Sequence, residues 1–371
     1  MGCNASKPAA VEAPTSAAAA AAPDLGPMSK KKGSIVTYPK KQRDLHSHHF
    51  DSTMWDDFKF RNDDIIIATY AKSGKYISLW MWYLLGYVDI NISKLISNRY
   101  FLLKISTGTT WMQQIVSQMI FLGKPDINVA EMSPWVDLRV PPKEVKLPAI
   151  EAQTHRRFLK THLPVDALNF SPKAKYLYIA RDGRDVVWSL YNHWKTANDG
   201  WYAALNETPG LVGDPIPRPP EDVLTFWKQW LENDGEPFWS FWENIKTWWA
   251  IKDLPNVMFI HFNDLKADME GEMKKMAKFL EIDIPEDKWP AIVDHCTFDY
   301  MKLNAASCVP LGGAFWEGGA STFIHKGTNG RWVDVLSEDD SKAYEKMAEE
   351  KLGKECADWL KHGSAVPTLS Q

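Results

Sequence analysis

The segment Asp63–Tyr70 (DDIIIATY) is a short apolar run with three β-branched residues in a row, the pattern of a strand buried on both faces. Ala71-Lys72-Ser73-Gly74 follows it without a break. A strand that runs into a small polar loop makes an anion site when a helix opens on the far side, because the free N–H groups and positive dipole of a helix N-terminus attract negative charge. The helix is present but displaced. Gly108-Thr109-Thr110-Trp111 opens a stretch in which Met112, Ile115, Val116, Met119 and Ile120 share one helical face. Residues 75–108, 34 counting both ends, stand between the two halves.

Short apolar runs at Phe158–Thr161, Ala174–Ala180 and Val257–His261 alternate with helical patterns. The alternation predicts an α/β fold, three layers (α/β/α) around a central, mostly parallel sheet. With 45% hydrophobic and 24% charged residues the chain has ordinary globular composition, and a net charge of −4 excludes a nucleic-acid binder that works by bulk charge. The four cysteines show neither metal-ligand spacing nor the density of a disulfide scaffold, so no metal and a reducing, cytoplasmic compartment are expected. No apolar run reaches the roughly 18 residues a membrane span needs.

Residues 1–45 read as a disordered arm, with an alanine tract at Ala17–Ala22 and then a basic stretch. Residues 46–362 read as the globular domain and 363–371 as a tail. The arm carries +4 and the remainder −8. Its start, MGCNASK, fits N-myristoylation at Gly2, with Ser6 at the required position and Cys3 placed for palmitoylation. One acyl chain holds a membrane only marginally; a second chain or a polybasic patch makes the anchor stable, and the arm offers both. The expectation is a cytoplasmic protein on the cytoplasmic face of a membrane; the plainer alternative is a solubilising Ala-rich leader that begins with Gly by chance.

Joined without the intervening residues, the two halves of the loop read TYAKSGTTWMQQ. That string resembles the 5′-phosphosulfate loop of the cytosolic-type sulfotransferases, TYPKSGTTW, with Ala71 for Pro. The earlier TYPK at Thr37–Lys40 lacks both the strand and the SGTTW. FLKTHLP (Phe158–Pro164) resembles the family's K-T/S-H-L-P block, whose His is the general base. YIARDGRDVVWSLYNHW (Tyr178–Trp194) resembles its 3′-phosphate segment, and FIHKGTNGRW (Phe323–Trp332) its C-terminal R-K-G-x-x-G-x-W loop. The resemblance spans about Trp55 to Trp332 and implies the P-loop-like sulfotransferase fold with 3′-phosphoadenosine 5′-phosphosulfate (PAPS) as co-substrate and no metal. By the same resemblance, His162 is the base, while Lys72 and Lys160 stabilise charge on the transferring group. Lys72, Ser73, Gly74, Gly108, Thr109 and Thr110 form the 5′ loop. Arg181, Ser189, Lys326 and Gly327 hold the 3′-phosphate, and Trp111, Thr297 and Phe298 contact the base. An imidazole that titrates near 6.5 suits proton abstraction at neutral pH, and a guanidinium offers planar, charge-assisted donors to phosphate.

The chain departs from the family where His325 replaces its Arg and Phe262 replaces a Tyr hydroxyl that contacts cofactor, so another group or a water must supply that donor. The family's dimerisation motif is not recognisable in WVDVLSEDD, which leaves oligomeric state open. Asp182, Arg184 and Asp185 read as ion-paired helix-start residues. Residues 75–108 are too short in their apolar part to span a bilayer and too aromatic for a surface loop. A retained intron accounts for both ends, because the halves rejoin through a single Gly. If the segment is genuine, the rival reading is a membrane-tethered nucleotide-binding pseudoenzyme. A P-loop kinase is disfavoured by the lack of G-x-x-x-x-G-K-[ST]. The Trp-rich region Phe226–Trp249 reads mainly as core, with some of its rings available to line an apolar pocket for a small-molecule acceptor. Alcohol, phenol, amine, lipid and glycan acceptors all remain open.

Overall fold

The computed structural model describes residues 36–70, 108–235, 239–324 and 328–364. Four strands, β1 (Ile65–Ala68), β2 (Phe158–Thr161), β3 (Lys175–Ala180) and β4 (Val257–His261), form a parallel sheet in the order β2-β1-β3-β4. β1, the strand that leads into the interrupted loop, is therefore central, with Ala68 level with Thr161 on one side and Tyr178 on the other. It begins later than the apolar run because the buried Asp64 carboxylate is tied to Arg157 (2.6 and 2.7 Å) and to the Arg61 N–H (2.8 Å).

Side chains alternate across the sheet with the two-residue period of a strand. Ile65, Ile67, Phe158, Leu177, Ile179 and Ile260 pack on one face against Met112, Ile115, Val116 and Met119 of α1 (Gly108–Ile120). Ile66, Ala68, Leu159, Tyr176 and Tyr178 pack on the other face, beneath aromatic helices. The covering elements that matter for the site are α2 (Gly183–Thr196), α3 (Val223–Glu232), α4 (Phe241–Trp249), α5 (Met269–Leu280), α6 (Phe298–Leu303) and α7 (Glu338–Leu352). Of these, α5 joins α1 on its face through Met273, Met276 and Leu280. Both faces are covered, as the α/β/α expectation requires.

The tryptophans of the Trp-rich region pack in or against the core. Trp227, Trp230, Trp242 and Trp248 are buried, and Trp248 stacks on Tyr178 (5.1 Å, 16°) while donating to the Leu163 carbonyl (3.0 Å). Trp239 is half-buried and lies 4.3 Å from Phe50.

Residues 36–45, which the sequence places in the disordered arm, pack on the folded body. Gln42 and Arg43 donate backbone N–H groups to the Asp166 carbonyl, Tyr38 stacks on Phe170 (6.1 Å), Lys41 meets Asp44 and Asp56, and Arg43 meets Asp166 and Glu243. The reason is charge: the basic end of the arm finds carboxylates on an acidic body. Tyr38 of TYPK packs against the core in this docking. Among the described residues no helix is long and apolar enough to cross a membrane.

Candidate active site

The carboxyl ends of parallel strands are where open α/β sheets place their ligands. Here β1 ends at Thr69, β2 at His162, β3 at Arg181 and β4 at Phe262, each just beyond its strand. Two clusters result.

The first is built around His162, which is fully buried. Its Nδ1 lies 2.9 Å from the Thr69 carbonyl and 2.8 Å from Thr69 Oγ1, and that hydroxyl lies 2.9 Å from Thr109 Oγ1 in the first turn of α1. The flanks of the interrupting segment are thus in hydrogen-bond contact across 40 residues of sequence. The His162 backbone is clamped as well. Its N–H donates to Asp137 (3.2 Å) and its carbonyl accepts from Asn244 of α4 (3.1 Å), whose own Oδ1 accepts from the Tyr178 hydroxyl (3.0 Å). Asp137 also accepts from the indoles of Trp135 (2.8 Å) and Trp55 (3.2 Å); burial pushes its carboxyl above the usual range, and these donors oppose that shift. The Trp135 ring stands edge-on to His162 at 4.7 Å, and the Lys160 ammonium lies 4.4 Å from the centre of that ring. His162 and the buried Lys160 therefore flank one tryptophan. Lys72, Ser73 and Gly74 lie outside the described residues.

The second cluster joins α2 to the C-terminal loop. Arg181, buried at the end of β3, donates to the Thr328 carbonyl (3.0 Å) and pairs with Asp185 (3.5 Å); Asp185 in turn accepts the Gly330 N–H (2.9 Å). Burial, then the nearby Arg181 charge, pushes the Arg331 guanidinium down to about 10 and also lowers Lys266. Arg181, Lys266 and Arg331 thus gather around one carboxylate. Ser189 is buried on α2, and Lys326 and Gly327 lie outside the described residues. Asp182 caps α2 and binds Arg184, which also meets Glu345 of α7 and lies 3.9 Å from the Trp332 ring centre.

Phe262 does not offer a replacement donor. Its ring packs between the Arg181 guanidinium (4.5 Å) and Trp111 (5.5 Å, 70°), so it orients both by contact. Trp111 is held by its indole N–H on the Cys296 carbonyl (2.8 Å), beside the 297–298 segment. Thr297 caps α6, donating to the Asp294 carbonyl and accepting from the Tyr300 N–H, and Phe298 packs against the core. Sequence reasoning passed over Thr69, Asp137, Asn244, Lys266 and Arg331 as site residues. Thr69 and Arg331 stand inside the blocks that resemble the family's, and Lys266 ends HFNDLK (His261–Lys266), the segment of the Phe262 departure; Asp137 and Asn244 carry no local signal, because only folding brings them to the strand ends.

Parallel strands present a buried histidine beside a helix N-terminus and a cluster of cations around Asp185, an α/β arrangement suited to holding an anionic ligand. A family model described as the sulfotransferase domain matches residues 106–355, and the chain belongs to that family. It is 26% identical over 318 residues to a glycolipid sulfotransferase of Mycobacterium bovis (79% of this chain, 86% of the relative). It is 30% identical over 242 residues to sulfotransferase 1A1 of Rattus norvegicus (62% of this chain, 76% of the relative). The fold is similar to that of mouse sulfotransferase SULT7A1, solved with PAP, at a TM-score of 0.57 and 20% identity over 84% of this chain and 94% of that one.

Proposed function

We propose that this sulfotransferase takes its sulfuryl group from PAPS and passes it to a hydroxyl of an amphipathic acceptor of the glycolipid class. The observation that carries the reading is the buried His162, held through Nδ1 so that its other nitrogen is the basic one, one hydroxyl away from the start of α1. The 3′-phosphate end fits too. Arg181 Nε and Arg331 Nε are buried with no acceptor among the described residues, and phosphate oxygens would supply acceptors. Lys326 and Gly327 belong to the same sequence block as Arg331 and lie outside the described residues.

In the reaction His162 Nε2 removes the acceptor proton as the hydroxyl oxygen attacks sulfur in line. Lys160 and Lys72 stabilise negative charge on the transferring group and on the bridging oxygen that leaves, a preorganised electrostatic field. A cavity of about 700 Å³ lined by His46, His48, Val212, Ile216, Phe226 and Trp230 suits the apolar body of the acceptor. Phe50, two residues along the chain from His48 of the lining, stands edge-on to His162 at 6.2 Å. The relative named as a glycolipid sulfotransferase supports this acceptor class.

Labelled PAPS offered with glycolipids, sterols and simple phenols tests the assignment, with glycolipid turnover expected to lead. His162→Ala should abolish turnover and leave PAP affinity close to wild type; retained turnover would remove His162 as the base. We also infer that Gly2 and Cys3 are acylated and hold the enzyme at the cytoplasmic face of a membrane. Gly2, Cys3, Ser6 and Lys30–Lys32 support this, and all lie outside the described residues. Metabolic labelling with an alkyne myristate should mark the wild type and not Gly2→Ala, and an unlabelled wild type would sink the inference.

A further inference from the structure

We propose that Thr69 and Thr109 form a two-hydroxyl relay that fixes which nitrogen of His162 is the base and couples that choice to the anion at the start of α1. The proposal rests on the reading of His162 as base and of the α1 N-terminus as the seat of the 5′-phosphosulfate. The argument begins at a carbonyl. The Thr69 carbonyl, 2.9 Å from Nδ1, can only accept, so Nδ1 must carry the ring proton; an unprotonated Nδ1 would face it lone pair to lone pair. With Nδ1 protonated, Thr69 Oγ1 at 2.8 Å is also an acceptor of that proton, so its own O–H must point elsewhere. Thr109 Oγ1, at 2.9 Å, is there to accept it. Having accepted, Thr109 presents its own O–H as a donor. The chain of protons thus runs one way, from imidazole to Thr69 to Thr109 to an anion.

All three side chains are fully buried, so bulk water does not compete for these contacts. Trp135 at 4.7 Å and Phe50 at 6.2 Å flank the ring and resist its turning over. An anion that accepts from Thr109 polarises the chain and raises electron density on the imidazole, which makes Nε2 a better base when donor is bound. Reciprocally, a ring held in this tautomer favours the anion by the same factor. During transfer the acceptor O–H bond breaks and Nε2–H forms while the acceptor oxygen bonds sulfur and the bridging S–O bond breaks. Nδ1 keeps its proton on Thr69 throughout, so the relay orients and moves no proton. Thr69 and Thr109 are therefore positioning residues toward the base.

The experiment uses the full chain labelled with 15N at histidine, with His162 signals identified by their loss in His162→Asn, and PAP as the probe. Wild type should show the Nδ1–H tautomer, and PAP should shift the His162 nitrogens further. Thr69→Val, which keeps shape and removes the hydroxyl, should still bind PAP but lose that shift, and its kcat should fall roughly tenfold, less than the roughly 10²–10⁴-fold that a general base contributes because the base itself stays in place, with the KM for PAPS little changed. Thr69→Ser should restore the shift. An Nε2–H tautomer in wild type, or a full PAP response in Thr69→Val, overturns the relay while leaving the nucleotide reading intact. A wild type that binds no PAP overturns the nucleotide reading and the coupling with it.

Discussion

Lys146 lies buried with its ammonium donating to the carbonyls of Val136 (3.2 Å) and Leu138, on either side of the Asp137 that holds His162. Burial lowers its pKa from 10.5 to about 7. Between those values the unfolded chain carries a proton that the folded chain has released, so the folded state gains as pH rises through that window and loses as pH falls back toward 7. Lys146→Met removes the titration. Subtracting its urea denaturation free energy from that of the wild type at each pH should leave a difference that climbs by at most about 1.4 kcal/mol per pH unit from 7 to 10. A flat difference would mean the amine is charged in place. Phe262 makes the complementary point: a lost hydroxyl has become a ring between Arg181 and Trp111, which no reading of the residue alone could supply.

At the scale of elements, the segment Thr328–Trp332 is pinned by Arg181 and Asp185, contacts that reach across 147 and 145 residues, and this docking brings Arg331 into the guanidinium cluster. Arg331 offers a cation where His325 replaces the family's Arg. Arg331→Ala should weaken PAP binding about tenfold or more, the loss of one charge-assisted contact of roughly 1.5–3 kcal/mol, as read by calorimetry. Unchanged affinity would place Arg331 outside the phosphate site. The motif blocks were legible because each is a continuous string. Their convergence was not, since strand order decides which block ends lie side by side.

For the whole molecule the decisive segment is residues 75–108, of which 75–107 lie outside the described residues and within which, at residue 106, the family match begins. Because Thr69 and Thr109 meet, the fold tolerates the interruption at its edges. Deleting residues 75–108 rejoins Gly74 to Thr109 and should preserve the fold and raise sulfuryl transfer; a deleted chain with lower turnover than the full one would count against the retained-intron reading. All four strands and the apolar face of α1 followed from local pattern, because continuous apolar runs and a 3.6-residue period are written within a few consecutive residues, and the blocks bearing His162 and Arg181 followed from continuous strings that resemble those of the sulfotransferase family. The arm's boundary did not, since Lys41 and Arg43 find their partners only on the folded body. Nor did the Thr69–Thr109–His162 relay, the Asp137 and Asn244 clamps or the Asp185–Gly330 link. Each joins residues 25 or more apart, and their proximity is set by the order of strands in the sheet, a property of the tertiary structure that no local string encodes.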